Sequence, residues 1–169
     1  MPVNIKLTDN FRLKEFFVSR DHKAIADKLF DECNNFQIHL GYNLAYDAQR
    51  MRDHIDAPLI ITSGYRDDNL NKLTTGSADR SLHTQMLAFD AKTDDDRDLL
   101  IIYLYVTNNP NLFQCSECFL YRSESGIYTN IHFARQTAGY DKVRPGIMVR
   151  LDSGGVIPLE HYLEEYENG

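Results

Sequence analysis

ITSGYRDDNLNKLTTGSADRSLHTQMLAFD, residues 61–90, opens on an apolar run, crosses a long polar stretch and ends in a second apolar run that carries an aspartate. The first run continues from Leu59 and Ile60, is rich in β-branched residues and lies between Pro58 and Gly64, which predicts a buried strand. The second places His83 and Asp90 seven positions apart, with Ala88 and Phe89 beside the carboxylate. A charged side chain in apolar surroundings is costly unless something pairs with it, and a bound metal ion is one such partner. The stretch between, 66–80, is polar and predicts a loop.

Outward from these strands the pattern changes period. Leu40, Leu44, Ala48, Met51 and Ile55 fall on one helical face while Arg50, Arg52 and Asp53 face away, so a long amphipathic helix ends at Ala57-Pro58. On the other side, DDDRD at 94–98 supplies an N-cap oxygen and acids for the first turn of a helix over 94–107, closed by Asn108, Asn109 and Pro110. CFLYR (118–122) and YTNIHFAR (128–135) flank SESG, which predicts a β-hairpin. PGIMVRLDSGGVIP (145–158) alternates around a Gly-Gly turn, and LEHYLEEY (159–166) reads as a short closing helix. Helices first, then strands mixed with one more helix, predict an α+β fold with a largely antiparallel sheet.

The chain has 169 residues and 43% hydrophobic content, enough for one domain with an ordinary core. Its 25 acidic and 18 basic residues leave a formal charge of -7, with the acids spread along the chain, so no nucleic acid is expected as partner. The N-terminus lacks the basic and apolar regions of a secretory signal. The longest apolar run, LLIIYLYV at 99–106, is about half of what spans a bilayer, so no membrane is expected either. Synthesis in the cytoplasm is the expectation. Three cysteines, Cys33, Cys115 and Cys118, form no disulfide framework, and the lone CxxC lacks the second pair of a structural zinc site.

Zinc takes nitrogen from His and oxygen from Asp, and a catalytic site uses three protein ligands and leaves the fourth position for water. His83 and Asp90 are candidates for two. His132, in YTNIHFAR, is the later histidine in a strand-like setting; His22, His39 and His54 sit on or beside exposed helix faces, and His161 belongs to the terminal helix. A His pair at helical spacing with a Glu between is absent.

ITSGYR at 61–66 followed by S-x-H-x-x-x-x-A-x-D at 81–90 resembles the zinc D-alanyl-D-alanine carboxypeptidase family, which includes phage endolysins. NFRLKEFF is similar to the F-x-L-x-E-F entry of one branch, NLAYDAQRMRDHIDAPLIITSGYR matches the helix, proline, strand and SGYR order, and IHF at 131–133 occupies the place of the W-x-H strand. The resemblance covers about residues 8–135 and implies a hedgehog/DD-peptidase-like domain over 1–142, with 143–169 as a hairpin and short helix extending it. It implies that His83, Asp90 and His132 bind Zn2+. On the substrate side, Arg66 would hold a carboxylate or a carbonyl oxygen as charge builds on it, and Ser81 would support the ligands by hydrogen bonding.

Two positions depart from the family pattern. Met86 stands where relatives usually carry glycine, and a long side chain there implies a different loop or cleft wall. The family's general base is a glutamate either three residues before the last ligand histidine or at the end of the preceding strand; here those positions are Thr129 and Tyr121. Zinc hydrolysis needs a group that takes the water's proton and passes it to the leaving amine. Tyr121 could orient the water or the carbonyl, and Glu124, in the hairpin loop, could fold inward. Glu117 shares a face with Tyr121 but on a regular strand lies about 13 Å away, out of reach unless a bulge intervenes. The resemblance therefore implies either a peptidase acting on peptidoglycan stem peptides, as D,D-carboxypeptidase or endopeptidase, or an inactive member that keeps the zinc site for stability or binding. An enzyme without a signal would reach the wall on release by lysis or aboard a virion.

Overall fold

The computed structural model describes residues 3–75, 77–78, 80–136 and 144–164, and packs as two compact units, Met1–Ala91 and Lys92–Gly169. Among the described residues there are six helices and six strands, a mixed α+β fold.

In the first unit, a 3-10 turn at Leu13–Phe16 is followed by α1 (Lys23–Asp31), α2 (Asn35–Ile55), β1 (Ile60–Ser63), α3 (Asp68–Leu73), a second 3-10 turn at Leu82–Gln85 and β2 (Ala88–Lys92). The long helix starts where Asn34 accepts from the Gln37 N–H and the Gln37 side chain accepts from the Asn34 N–H, a reciprocal cap. It buries Leu44, Ala45, Ala48 and Met51 against the entry turn. Gly41 permits that approach, since a Cβ there would stand 2.8 Å from Leu13 Cδ1. Phe11, Phe16 and Phe89 continue the core, Phe11 tilted against Phe16 and Phe16 edge to face with Phe89, with ring centroids 6.1 and 6.0 Å apart. Strands β1 and β2 are neighbours. Thr62 donates to the Asp90 carbonyl at 3.2 Å.

The stretch expected as a loop over 66–80 contains α3. Asp67 caps it by accepting from the Leu70 N–H at 2.7 Å, and Leu70 and Asn71 are buried, so two inward side chains and one cap outweigh a polar composition.

The second unit comprises α4 (Asp96–Asn108), α5 (Pro110–Phe113), β3 (Cys115–Ser123), β4 (Tyr128–Arg135), β5 (Arg144–Arg150), β6 (Val156–Pro158) and α6 (Leu159–Tyr162). Its strands lie in the order β4-β3-β5-β6. Leu99, Ile102 and Val106 of α4 are buried, as are Cys118 and Leu120 of β3 and Ile131 and Phe133 of β4. The expected hairpins β3/β4 and β5/β6 are antiparallel. One pairing departs from this pattern: β3 and β5 pair in parallel, with Glu117 opposite Arg144 and Tyr121 opposite Met148. The boundary expected at 142/143 lies outside the described residues. Strand β5 itself is bonded to β3 over its whole length, and so is part of this unit. The closing helix is observed at Leu159–Tyr162, and 165–166 lie outside the described residues. No helix among the described residues is long and apolar enough to cross a membrane.

Candidate metal centre

His83 sits in the 3-10 turn at Leu82–Gln85, whose N-cap is Ser81. The Ser81 hydroxyl accepts from the His83 N–H at 3.3 Å and the Ser81 carbonyl accepts from the Thr84 hydroxyl at 2.7 Å, so the serine shapes the turn that presents the imidazole. The turn closes on Met86 in the left-handed conformation, φ 56° and ψ 38°. A glycine takes that conformation without strain, which accounts for glycine in the family pattern. Here the methionine side chain is 1% exposed and packs toward Gly41, so it fills core and does not build a cleft wall.

The imidazole of His83 is buried and its Nδ1 lies 2.7 Å from the Gly64 carbonyl oxygen. A carbonyl only accepts, so Nδ1 carries a proton, and in the neutral tautomer the lone pair is then at Nε2. That nitrogen faces Asp90 Oδ2 at 3.4 Å. A lone pair and a carboxylate oxygen repel each other at this range unless a proton or a cation lies between them. In a tetrahedral site with bonds of about 2.0–2.1 Å, ligand atoms stand about 3.3–3.4 Å apart, the spacing found here. Gly64 is itself held tightly: its N–H donates to the Val18 carbonyl and a Cβ on it would meet the Phe16 carbonyl oxygen at 2.2 Å.

Strand β4 supplies His132. One ligand atom from each of His83, Asp90 and His132 lies within 4.8 Å of the other two, a candidate metal site. Two imidazoles and a carboxylate are a donor set that suits first-row divalent metals.

Arg66, expected on the substrate side, is 6% exposed, and its N–H donates to the His83 carbonyl at 3.2 Å. Burial lowers the pKa of its guanidinium, and the charge of Asp90 opposes that fall. Its Nε makes no hydrogen bond to a described residue. Tyr121 is half-buried on β3, with the Arg150 guanidinium 4.8 Å above its ring. Glu124 occupies the β3/β4 turn, five residues from Phe119, the residue opposite His132.

Glu117 is where the structure departs most from the sequence reading. The β3/β4 register slips between Tyr121 and Arg122, where Tyr121 faces Asn130 but Arg122 faces Tyr128, leaving Thr129 as the extra residue. Continued without the slip, the pairing would set His132 opposite Cys118, whose side chain is buried. The slip sets it opposite Phe119, on the face shared by Glu117 and Tyr121, where the Phe119 and His132 rings stack at 5.8 Å. Glu117 Oε2 lies 3.5 Å from His132 Nε2 and Oε1 lies 3.2 Å from an Arg144 guanidinium nitrogen. The glutamate expected to be out of reach on a regular strand thus lies beside a candidate ligand, across a hairpin bulged at Thr129.

A family model described as Peptidase M15 matches residues 12–111, more than half of the 169-residue chain. The chain belongs to the peptidase M15 family. Peptidase M15 proteins are metal-dependent and act on peptide substrates, so the match and the three-residue cluster together support a metallopeptidase. The match includes Gly64, Arg66, Ser81, His83 and Asp90; Glu117, His132 and Arg144 lie beyond it. No curated protein and no solved structure matches the chain.

Proposed function

We propose that the protein is a zinc metallopeptidase of the hedgehog/DD-peptidase fold that hydrolyses a peptide bond in peptidoglycan stem peptides, as a D,D-carboxypeptidase or an endopeptidase, in an endolysin-like role. The observation that carries this reading is the gathering of His83, Asp90 and His132, with His83 Nδ1 bonded to the Gly64 carbonyl so that Nε2 would be the ligating atom. Zinc suits the two nitrogens and one oxygen and, with three protein ligands, keeps a position open. When bound it would lower the pKa of a water and polarise the scissile carbonyl. Arg66, buried and with its Nε making no hydrogen bond to a described residue, would bind a substrate oxygen. The wall substrate and the release of the protein by lysis or on a virion rest on the resemblance of SGYR and SxHxxxxAxD.

One observation favours the inactive alternative: Thr129 and Tyr121 stand where relatives carry their glutamate. The two readings separate when zinc-loaded protein is incubated with purified wall fragments and the products are weighed by mass spectrometry, with His132→Ala as control. The peptidase releases fragments and the variant does not. A zinc-loaded protein that releases nothing from any bond type is a binding module.

A further inference from the structure

The proposed peptidase lacks an assigned proton carrier, and the second unit offers one. We infer that Glu117 is the catalytic carboxylate and that Arg144, on a strand beyond the family match, is the residue that positions it. This rests on the peptidase reading above.

Three features of β3, β4 and β5 converge on Glu117. The slip in the hairpin brings His132 to its face of the sheet, with Oε2 at 3.5 Å from the imidazole. The parallel pairing of β5 with β3 sets Arg144 opposite it, and the guanidinium holds Oε1 at 3.2 Å. Gly146, two residues on, lies opposite Phe119, and a Cβ there would stand 3.2 Å from its ring, so the face beside Glu117 carries no side chain from that position of β5. The carboxylate side chain is only 20% exposed. One oxygen is anchored, and the other points to the histidine that would hold the metal.

The division of labour between its oxygens gives Glu117 a chemical role. Arg144 pairs with Oε1 at 3.2 Å, which biases the orientation of the carboxylate, and Oε2, 3.5 Å from His132 Nε2, is the oxygen that would take a proton beside the metal. In the hydrolysis, the water oxygen bonds to the scissile carbonyl carbon while Oε2 receives one of its protons. The carbon–nitrogen bond then breaks, and Oε2 returns that proton to the leaving nitrogen, so an amine and a carboxylic acid form and Glu117 ends as it began. Arg144 touches no reacting atom. Its contribution is the angle at which Oε2 is presented, which a flexible glutamate on an open strand would lose.

The test uses the full-length zinc-loaded protein and purified wall fragments, with Glu117→Gln, Arg144→Ala and Arg144→Lys beside wild type. Glu117→Gln should lower kcat by about 10²–10⁴-fold. It should leave zinc affinity, measured against a competing chelator, and calorimetric binding of the fragments within about threefold, because a group that only moves a proton contributes little to either. Arg144→Ala should lower kcat about tenfold or more at an unchanged KM, and Arg144→Lys should restore part of it. A Glu117→Gln variant with kcat near wild type overturns the inference. So does one that loses zinc together with activity, since Glu117 is then a ligand. Equal losses for Arg144→Lys and Arg144→Ala with a raised KM overturn the positioning role. A zinc-loaded wild type that releases nothing overturns the peptidase reading, and this role with it.

Discussion

Gly64→Ala is expected to damage the fold and the metal site together, because one glycine serves both. A Cβ at this position would lie 2.2 Å from the Phe16 carbonyl oxygen, 2.5 Å from its carbon and 2.8 Å from its Cα, all backbone atoms. Relief requires the two segments to part by about 1 Å, since a nonbonded approach much below about 3.2 Å is repulsive. The same Phe16 oxygen accepts from the Tyr65 N–H at 2.7 Å, and the Gly64 N–H donates to Val18, so the movement strains both bonds. Overpacking costs about 1–3 kcal/mol and each of the two weakened hydrogen bonds about 1 kcal/mol, about 3–5 kcal/mol together. For a chain of this length that lowers the melting temperature of the metal-free protein by about 6–20 °C. The Gly64 carbonyl also orients His83, and losing such support typically weakens metal binding about 10–100-fold. Calorimetry of the metal-free variant and zinc titration against a competing chelator measure the two effects. Gly126→Ala is the control: its φ of 87° makes alanine strained by about 1–2 kcal/mol, but nothing lies within 4 Å, so zinc affinity should not change. A Gly64→Ala protein that melts within about 2 °C of wild type and binds zinc equally well would refute the reasoning.

Chelation should lower the melting temperature: zinc at a hundredfold excess over its Kd adds about 2.7 kcal/mol, or about 5–11 °C, and His132→Ala should abolish the difference between zinc-loaded and chelated samples. Asp90→Asn should do the same, because a neutral amide leaves the cation with two imidazoles only; zinc-dependent melting retained in either variant would count against the cluster. Cys115 and Cys118 are buried, and burial pushes the Cys118 thiol well up, whereas Cys33 is partly exposed. Iodoacetamide should therefore add a single adduct to the folded protein, slowly because burial and Asp31 also raise the Cys33 thiol, and Cys33→Ser should take up none. Met86→Gly removes about 1 kcal/mol of left-handed strain but also a fully buried side chain worth about 2–5 kcal/mol, so chemical denaturation should show a net loss of about 1–4 kcal/mol; a more stable variant would show the strain to dominate.

The first unit was largely readable from its sequence because its signals are local. Strand β1 is bounded by Pro58 and the Gly64 turn, the long helix shows its stripe through Leu44, Ala48 and Met51, and His83 and Asp90 fall within one short motif. What escaped was non-local or cheap in residues. Helix α3 rests on one cap and two buried side chains, too few to show in a window of polar residues. The value of Gly64 as an acceptor belongs to its carbonyl, which every residue has; the glycine is required by the approach of Phe16, invisible until the fold is formed. Met86 implied a different loop or cleft wall because its backbone conformation could not be read; at the left-handed end of the turn its side chain is buried in the core.

The hairpin shows why site residues on strands are harder to assign than strands themselves. Both strands were evident from alternation, yet alternation fixes only which residues of one strand share a face; which face of the partner they meet depends on pairing parity. A single extra residue near Thr129 reverses that parity from Asn130 onward. Counting along β3 from Tyr121 put Glu117 about 13 Å from the chemistry. The observed pairing centres the site on Phe119 instead, two residues from Glu117 and five from Glu124, and the side-chain contact closes the rest. The partner that anchors Glu117 could not be inferred at all, because Arg144 reaches it through a parallel pairing between strands that are not joined by a hairpin. A parallel neighbour carries no turn signal in the sequence to set its register. The bulge brings His132 to the face of Glu117 and the parallel strand brings Arg144 beside it, so removing the extra residue should turn the histidine away, and removing the Arg144 contact should leave the carboxylate without its cationic partner.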